Sequence, residues 1–145
     1  MTYERLMEEH DRIDHHLHRL SNVIDGDSED AVGATLILCD LSEELRLHLA
    51  HEDSLIYRPM VTAQQPAFAK TADDFALQFE TLRCDWERYL VEWTTGIIRA
   101  DWAGFRASTI VMIDQMSARV RAENDLLYGA ALQAGALPLR DRVTV

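Results

Sequence analysis

The chain has 145 residues and a mass of 16.6 kDa, the size of one domain. Apolar residues make up 48% and charged residues 27%, which excludes a disordered or fibrous chain. Lys and Arg number 14 against 25 Asp and Glu, so the net charge is −11 and neither nucleic acid nor an anionic membrane is expected as a partner.

The opening residues are charged from Glu4 onward, and no apolar run approaches about 20 residues. A secretory leader or a membrane span is therefore not expected, and a cytoplasmic domain is. Cys39 and Cys84 are too few for a disulfide framework and are expected to be reduced. Breakers cluster at Asp25-Gly26-Asp27-Ser28, Gln64-Gln65-Pro66, Thr94-Thr95-Gly96 and from Gly135 to Pro138. They leave four long periodic segments over residues 1–134 and a C-terminal tail over 135–145.

Segment A runs from about Tyr3 to Ile24, with the stripe Leu6, His10, Ile13, Leu17, Leu20, Ile24. Segment B runs from about Ser28, a candidate N-cap, to Met60, with the stripe Leu38, Leu41, Leu45, His48, Glu52, Leu55. Segment C runs from about Thr71 to Trp93, with Thr71 and Asp74 in capping-box spacing. Its stripe is Phe75, Phe79, Leu82, Trp86, Tyr89, Trp93. Segment D runs from about Asp101 to Gln133, with the stripe Phe105, Thr109, Met112, Met116, Arg119, Glu123, Leu126, Ala130. Steps of three and four place each stripe on one helix face, and no segment alternates with a period of two. The expectation is an all-α protein, an antiparallel up-down-up-down four-helix bundle.

One band of the stripes is polar: His10 on A, His48 and Glu52 on B, Arg119 and Glu123 on D. A lone charge inside a bundle costs several kcal/mol unless it is paired or bound to metal. Five such groups on three helices predict a shared site. Imidazole and carboxylate at positions i and i+4 offer nitrogen and oxygen ligands on one face, a set that suits iron, manganese or zinc. Arg119 offers fixed positive charge and no lone pair, so it is a candidate metal surrogate. Elsewhere the chemistry is sparse. His15, His16 and His18 lie off the stripe and are expected in solvent. His51-Glu52 begins a zincin pattern, but Leu55 stands where the second His belongs. No P-loop, dinucleotide fingerprint or nucleophile elbow occurs, and nothing argues for an enzyme.

The B and D helices also echo each other. The stretch from His48 aligns with that from Arg119, pairing Leu49 with Val120, Glu52 with Glu123, Leu55 with Leu126, Ile56 with Leu127 and Tyr57 with Tyr128. Two fused helical hairpins would leave such an echo.

The pattern Glu9-His10-Asp11-Arg12-Ile13-Asp14 resembles the opening of hemerythrin-like HHE cation-binding domains. His48-Leu-Ala-His-Glu52-Asp, followed by Leu55-Ile56-Tyr57 and Pro59, resembles their second-helix signature. The resemblance implies a His from the first helix and a His and Glu from the second at a di-iron centre. One or two His would come from the third helix, and a His and a carboxylate from the fourth. Carried onto this chain, it makes His10, His48 and Glu52 metal ligands and Glu123 the last carboxylate.

The departures are as informative. No His follows His51. Phe75 and Phe79 stand where third-helix imidazoles are expected, as plugs of the pocket, and Arg119 stands at the fourth-helix His position. A full di-iron centre is not expected, and iron is limited to one ion per chain or none. Two readings follow: a partial or vestigial iron site with a sensing or regulatory role rather than oxygen transport, and a metal-free interaction module in which Arg119 and the buried carboxylates replace the metal. The partner and the oligomeric state have no signature in the sequence.

Overall fold

The computed structural model describes the backbone of residues 2–52 and 66–133, with side chains for residues 4–48, 74 and 77–125. The described chain is all-α, with no strand. Its helices are α1 (Thr2–Asp25), α2 (Ala31–Glu52), α3 (Pro66–Glu92), α4 (Thr95–Ala100) and α5 (Trp102–Gln133). The end of segment B toward Met60 and the tail from Gly135 lie outside the described residues.

Three boundaries differ from expectation. Helix α2 is capped by Asp30 and not by Ser28: the Asp30 carboxylate accepts from the Gly33 backbone N–H at 2.9 Å. Asp101 caps α5 in the same way, accepting from Gly104 N–H at 3.0 Å. In both Asp-x-x-Gly caps, a Cβ on the glycine would collide with the capping carboxylate. Helix α3 opens at Pro66, before the proposed Thr71 box, because proline suits the first helical position, where no N–H is needed. The break falls on two residues, Trp93 and the extended Thr94, and the chain returns at once to the short helix α4.

Helix pairing can be read from side-chain partners. Arg12 meets Glu44, and Arg19 meets Asp40, so α1 and α2 run in opposite directions. His10 meets Glu123 while Arg106 bonds the Ile24 carbonyl and the Asp25 carboxylate, so α5 also opposes α1. Tyr89 meets Thr109 and Trp93 packs against Phe105, which sets α3 against α5. A Thr35–Thr95 hydroxyl bond of 2.7 Å ties α4 to α2.

The apolar stripes make the core. Leu6, Ile13, Leu17, Leu20 and Ile24 of α1 are buried, as are Leu38 and Leu41 of α2, and Trp86, Tyr89 and Trp93 of α3. From α5 come Phe105, Met112, Met116 and Val120. Leu45 and Leu82 pack at its edge. Burial of large side chains stabilises by about 1.5–3 kcal/mol each, which holds long helices that would be marginal alone. This aromatic and aliphatic core fills one part of the bundle and leaves the polar band at the other.

Candidate metal centre

Each of the three helices that meet here places one candidate ligand inside. His10 sits on α1 between Leu6 and Ile13, His48 one turn beyond Leu45 on α2, and Glu123 one turn beyond Arg119 on α5. His10, His48 and Glu123 are 1%, 3% and 2% exposed. Their ligand atoms converge. His10 Nε2 lies 2.8 Å from Glu123 Oε1, and His48 Nε2 lies 2.7 Å from the same oxygen. The two Nε2 atoms are 3.2 Å apart, with the rings edge to face.

Outer partners decide which ring nitrogen carries the proton. His48 Nδ1 lies 3.1 Å from Glu9 Oε1, and a carboxylate only accepts, so Nδ1–H donates. His10 Nδ1 lies 2.5 Å from Asn124 Oδ1 and donates likewise. In the neutral rings both Nε2 lone pairs then point at one carboxylate oxygen. Three acceptors form a triangle that hydrogen bonds cannot fully satisfy. Protons on both Nε2 atoms serve Glu123 but set two N–H groups against each other. One cation among them satisfies all three atoms. Ligands about 2.1 Å from one ion and at right angles lie about 3.0 Å apart, close to the observed sides of the triangle. The residues therefore fit one ion with two nitrogen donors and one oxygen donor.

Glu123 is held ionised. Burial alone would raise its pKa, but where the imidazoles carry protons on Nε2 their hydrogen bonds, with the charges of His48 and Arg119, outweigh it and leave the carboxyl well below its usual range. Arg119 Nε donates to the other oxygen, Oε2, at 2.5 Å. The Arg119 guanidinium carbon stands 4.9 Å over the Phe79 ring. A cavity of about 40 Å³ adjoins the triad, with His48, Glu123, Arg119, Phe79, Trp86 and Met116 in its wall. Phe79 thus borders this space without filling it.

Of the residues singled out in the sequence, the structure brings together His10, His48, Glu123, Arg119 and Phe79. The side chains of Glu52 and Phe75 lie outside the described residues. His15 and His18 are exposed, and His16, half-buried, bonds Arg19. Cys39 and Cys84 are exposed free thiols. Sequence reasoning missed two outer partners, Glu9 and Asn124. Glu9 is only 1% exposed. Its signal was present, because it falls three residues after Leu6 and four before Ile13, on the buried face. Asn124 had no such signal; neighbouring Glu123 occupied the stripe.

Among the described residues, His10, His48 and Glu123 are the group of three that could hold a metal ion. No helix among them is long and apolar enough to cross a membrane. No curated protein and no solved structure matches the chain. The hemerythrin HHE cation-binding domain model matches residues 1–131, nearly the whole chain. With that match and a buried His–His–Glu cluster in its core, the chain belongs to the hemerythrin HHE cation-binding domain family.

Proposed function

We propose that the chain binds one divalent iron at His10, His48 and Glu123, on an up-down-up-down four-helix scaffold, in a cytoplasmic sensing or regulatory role. The observation that carries this reading is the convergence of three buried ligand atoms. Both Nδ1 atoms face acceptors, so in the neutral rings both Nε2 lone pairs and a carboxylate oxygen share one buried point. A two-His, one-carboxylate face with open positions is the donor set of mononuclear non-haem Fe(II). Bound iron supplies a redox couple and open coordination positions. The chain's own groups orient the rings, hold Glu123 ionised and wall the site with apolar side chains. Glu52, one turn after His48 and carried over by resemblance, is a fourth ligand in this reading. No general acid, base or nucleophile is assigned, and the role is not enzymatic. Net charge −11 disfavours nucleic acid and anionic membrane as partners.

Metal counting tests the proposal. Untagged protein, stripped with chelator, is dialysed anaerobically against Fe(II). One ion per chain is expected, and only background in His48→Ala and Glu123→Ala; those variants also measure stray metal at the exposed His15 and His18. Two tightly held ions would overturn the one-ion reading. A second reading, a metal-free interaction module, is favoured by the Arg119–Glu123 contact of 2.5 Å, in which a fixed cation already neutralises the carboxylate. It requires that the parent bind no more iron than these variants.

A further inference from the structure

Glu123 divides its two oxygens between different partners. Oε1 faces the two imidazoles, and Oε2 accepts from Arg119 Nε at 2.5 Å. Arg119 is one turn before Glu123 on the same helix, so the pair is built into α5 and survives any movement between helices. Its side chain is 9% exposed, and the Phe79 ring flanks the guanidinium. A guanidinium has no lone pair and does not lose its proton, so Arg119 neither ligates a metal nor yields its charge. The surrounding wall is mostly apolar, with Leu82, Trp86, Met116 and Val120, and includes Arg83, which pairs with Glu80 and Glu87. In such surroundings the repulsion between a fixed positive charge and a nearby divalent ion is weakly screened.

We propose that Arg119 is a resident cation that competes with the metal for Glu123, so that the centre holds a single, exchangeable ion. This rests on the metal reading above. With Oε2 taken by Arg119, Oε1 is the oxygen that Glu123 would offer to an ion at the triad, beside a positive charge fixed on the same helix. The same charge bars a further ion from the Oε2 side. The site is thereby tuned for reversible occupancy, which a sensing role needs and a structural metal site avoids.

The sign of one substitution separates this role from simple support of the fold. If Arg119 only braced the site, removing it would loosen Glu123 and weaken metal binding. If it competes, neutralising it strengthens binding. Fe(II) affinity is measured by anaerobic titration calorimetry at constant pH, with helix content checked by circular dichroism. Arg119→Gln keeps an N–H group within reach of Oε2 and removes the charge; its Kd is expected to fall at least about tenfold. Arg119→Lys keeps the charge and stays within about threefold of the parent. Should the Gln variant not fold, Arg119→Met carries the same expectation. A folded neutral variant that binds Fe(II) no tighter than the parent overturns the inference while leaving the metal reading intact. A parent that binds no Fe(II) overturns the metal reading itself, and this inference with it.

Discussion

The Glu9 carboxylate, buried beside His10 on α1, accepts a hydrogen bond from His48 Nδ1 of α2 at 3.1 Å. That bond fixes the His48 tautomer and aims its Nε2 at Glu123. Outer partners of this type typically account for about 10–100-fold of metal affinity. Glu9→Leu is therefore expected to weaken Fe(II) binding by about that factor while leaving helix content unchanged. Titration calorimetry beside the parent checks it; an unchanged Kd would show that Glu9 does not orient the ligand.

Arg119 affects metal-free stability in the opposite sense to metal affinity. Its partner Glu123 is 2% exposed, and removing one member of a buried ion pair typically costs about 3–5 kcal/mol. Arg119→Ala in chelator should therefore unfold at much lower urea than the parent. A loss of about 0.5 kcal/mol or less, the range of ordinary surface changes, would place the pair outside the cooperative core.

Acid should destabilise the metal-free protein through Glu123. Its folded-state pKa lies below the ordinary value of 4.5, so its contribution is fully present above that pH. As the pH falls below about 4.5 the unfolded chain takes up the proton first, and stability falls toward the depressed folded value. Urea midpoints from pH 6 to pH 3 follow this. Glu123→Gln should flatten the acid limb relative to the parent; parallel curves would show that other carboxylates set it.

At the other end of the core, burial raises the Tyr89 hydroxyl from 10.0 to about 12, against the opposing effect of its 2.7 Å bond with Thr109. The unfolded chain ionises first, so the fold loses stability as pH rises from about 10 toward 12. Tyr89→Phe removes that loss and leaves the buried Thr109 hydroxyl without this partner, at a cost of about 1–2 kcal/mol near neutrality. Chemical denaturation at pH 7 and pH 11 measures both; the deficit of the variant should narrow at the higher pH.

Helix α2 depends on its cap. Asp30→Ala removes the acceptor of the Gly33 N–H and should cost about 1 kcal/mol, while Ser28→Ala costs far less. Thermal unfolding of the two variants side by side distinguishes them.

The sequence by itself determined the four long helices and their inward faces, but not the short α4. The three–four rhythm is a local property of a helix, so Leu6, His10, Ile13, Leu17, Leu20 and Ile24 are buried together as their spacing requires. It also placed three ionisable side chains in the core, because polar residues in register with apolar ones have nowhere else to point. Boundaries were less legible: Ser28 and Asp30 are both competent caps, and backbone geometry at the turn chose Asp30. Only the tertiary structure decided how the charges pair. Glu9 and Glu123 are both buried acids beside histidines, yet Glu9 faces the Nδ1 of one ring while Glu123 faces the Nε2 of both. That division depends on distances between α1, α2 and α5 of a few ångströms, which no spacing along one helix encodes. It makes Glu9 an orienting group and Glu123 a ligand.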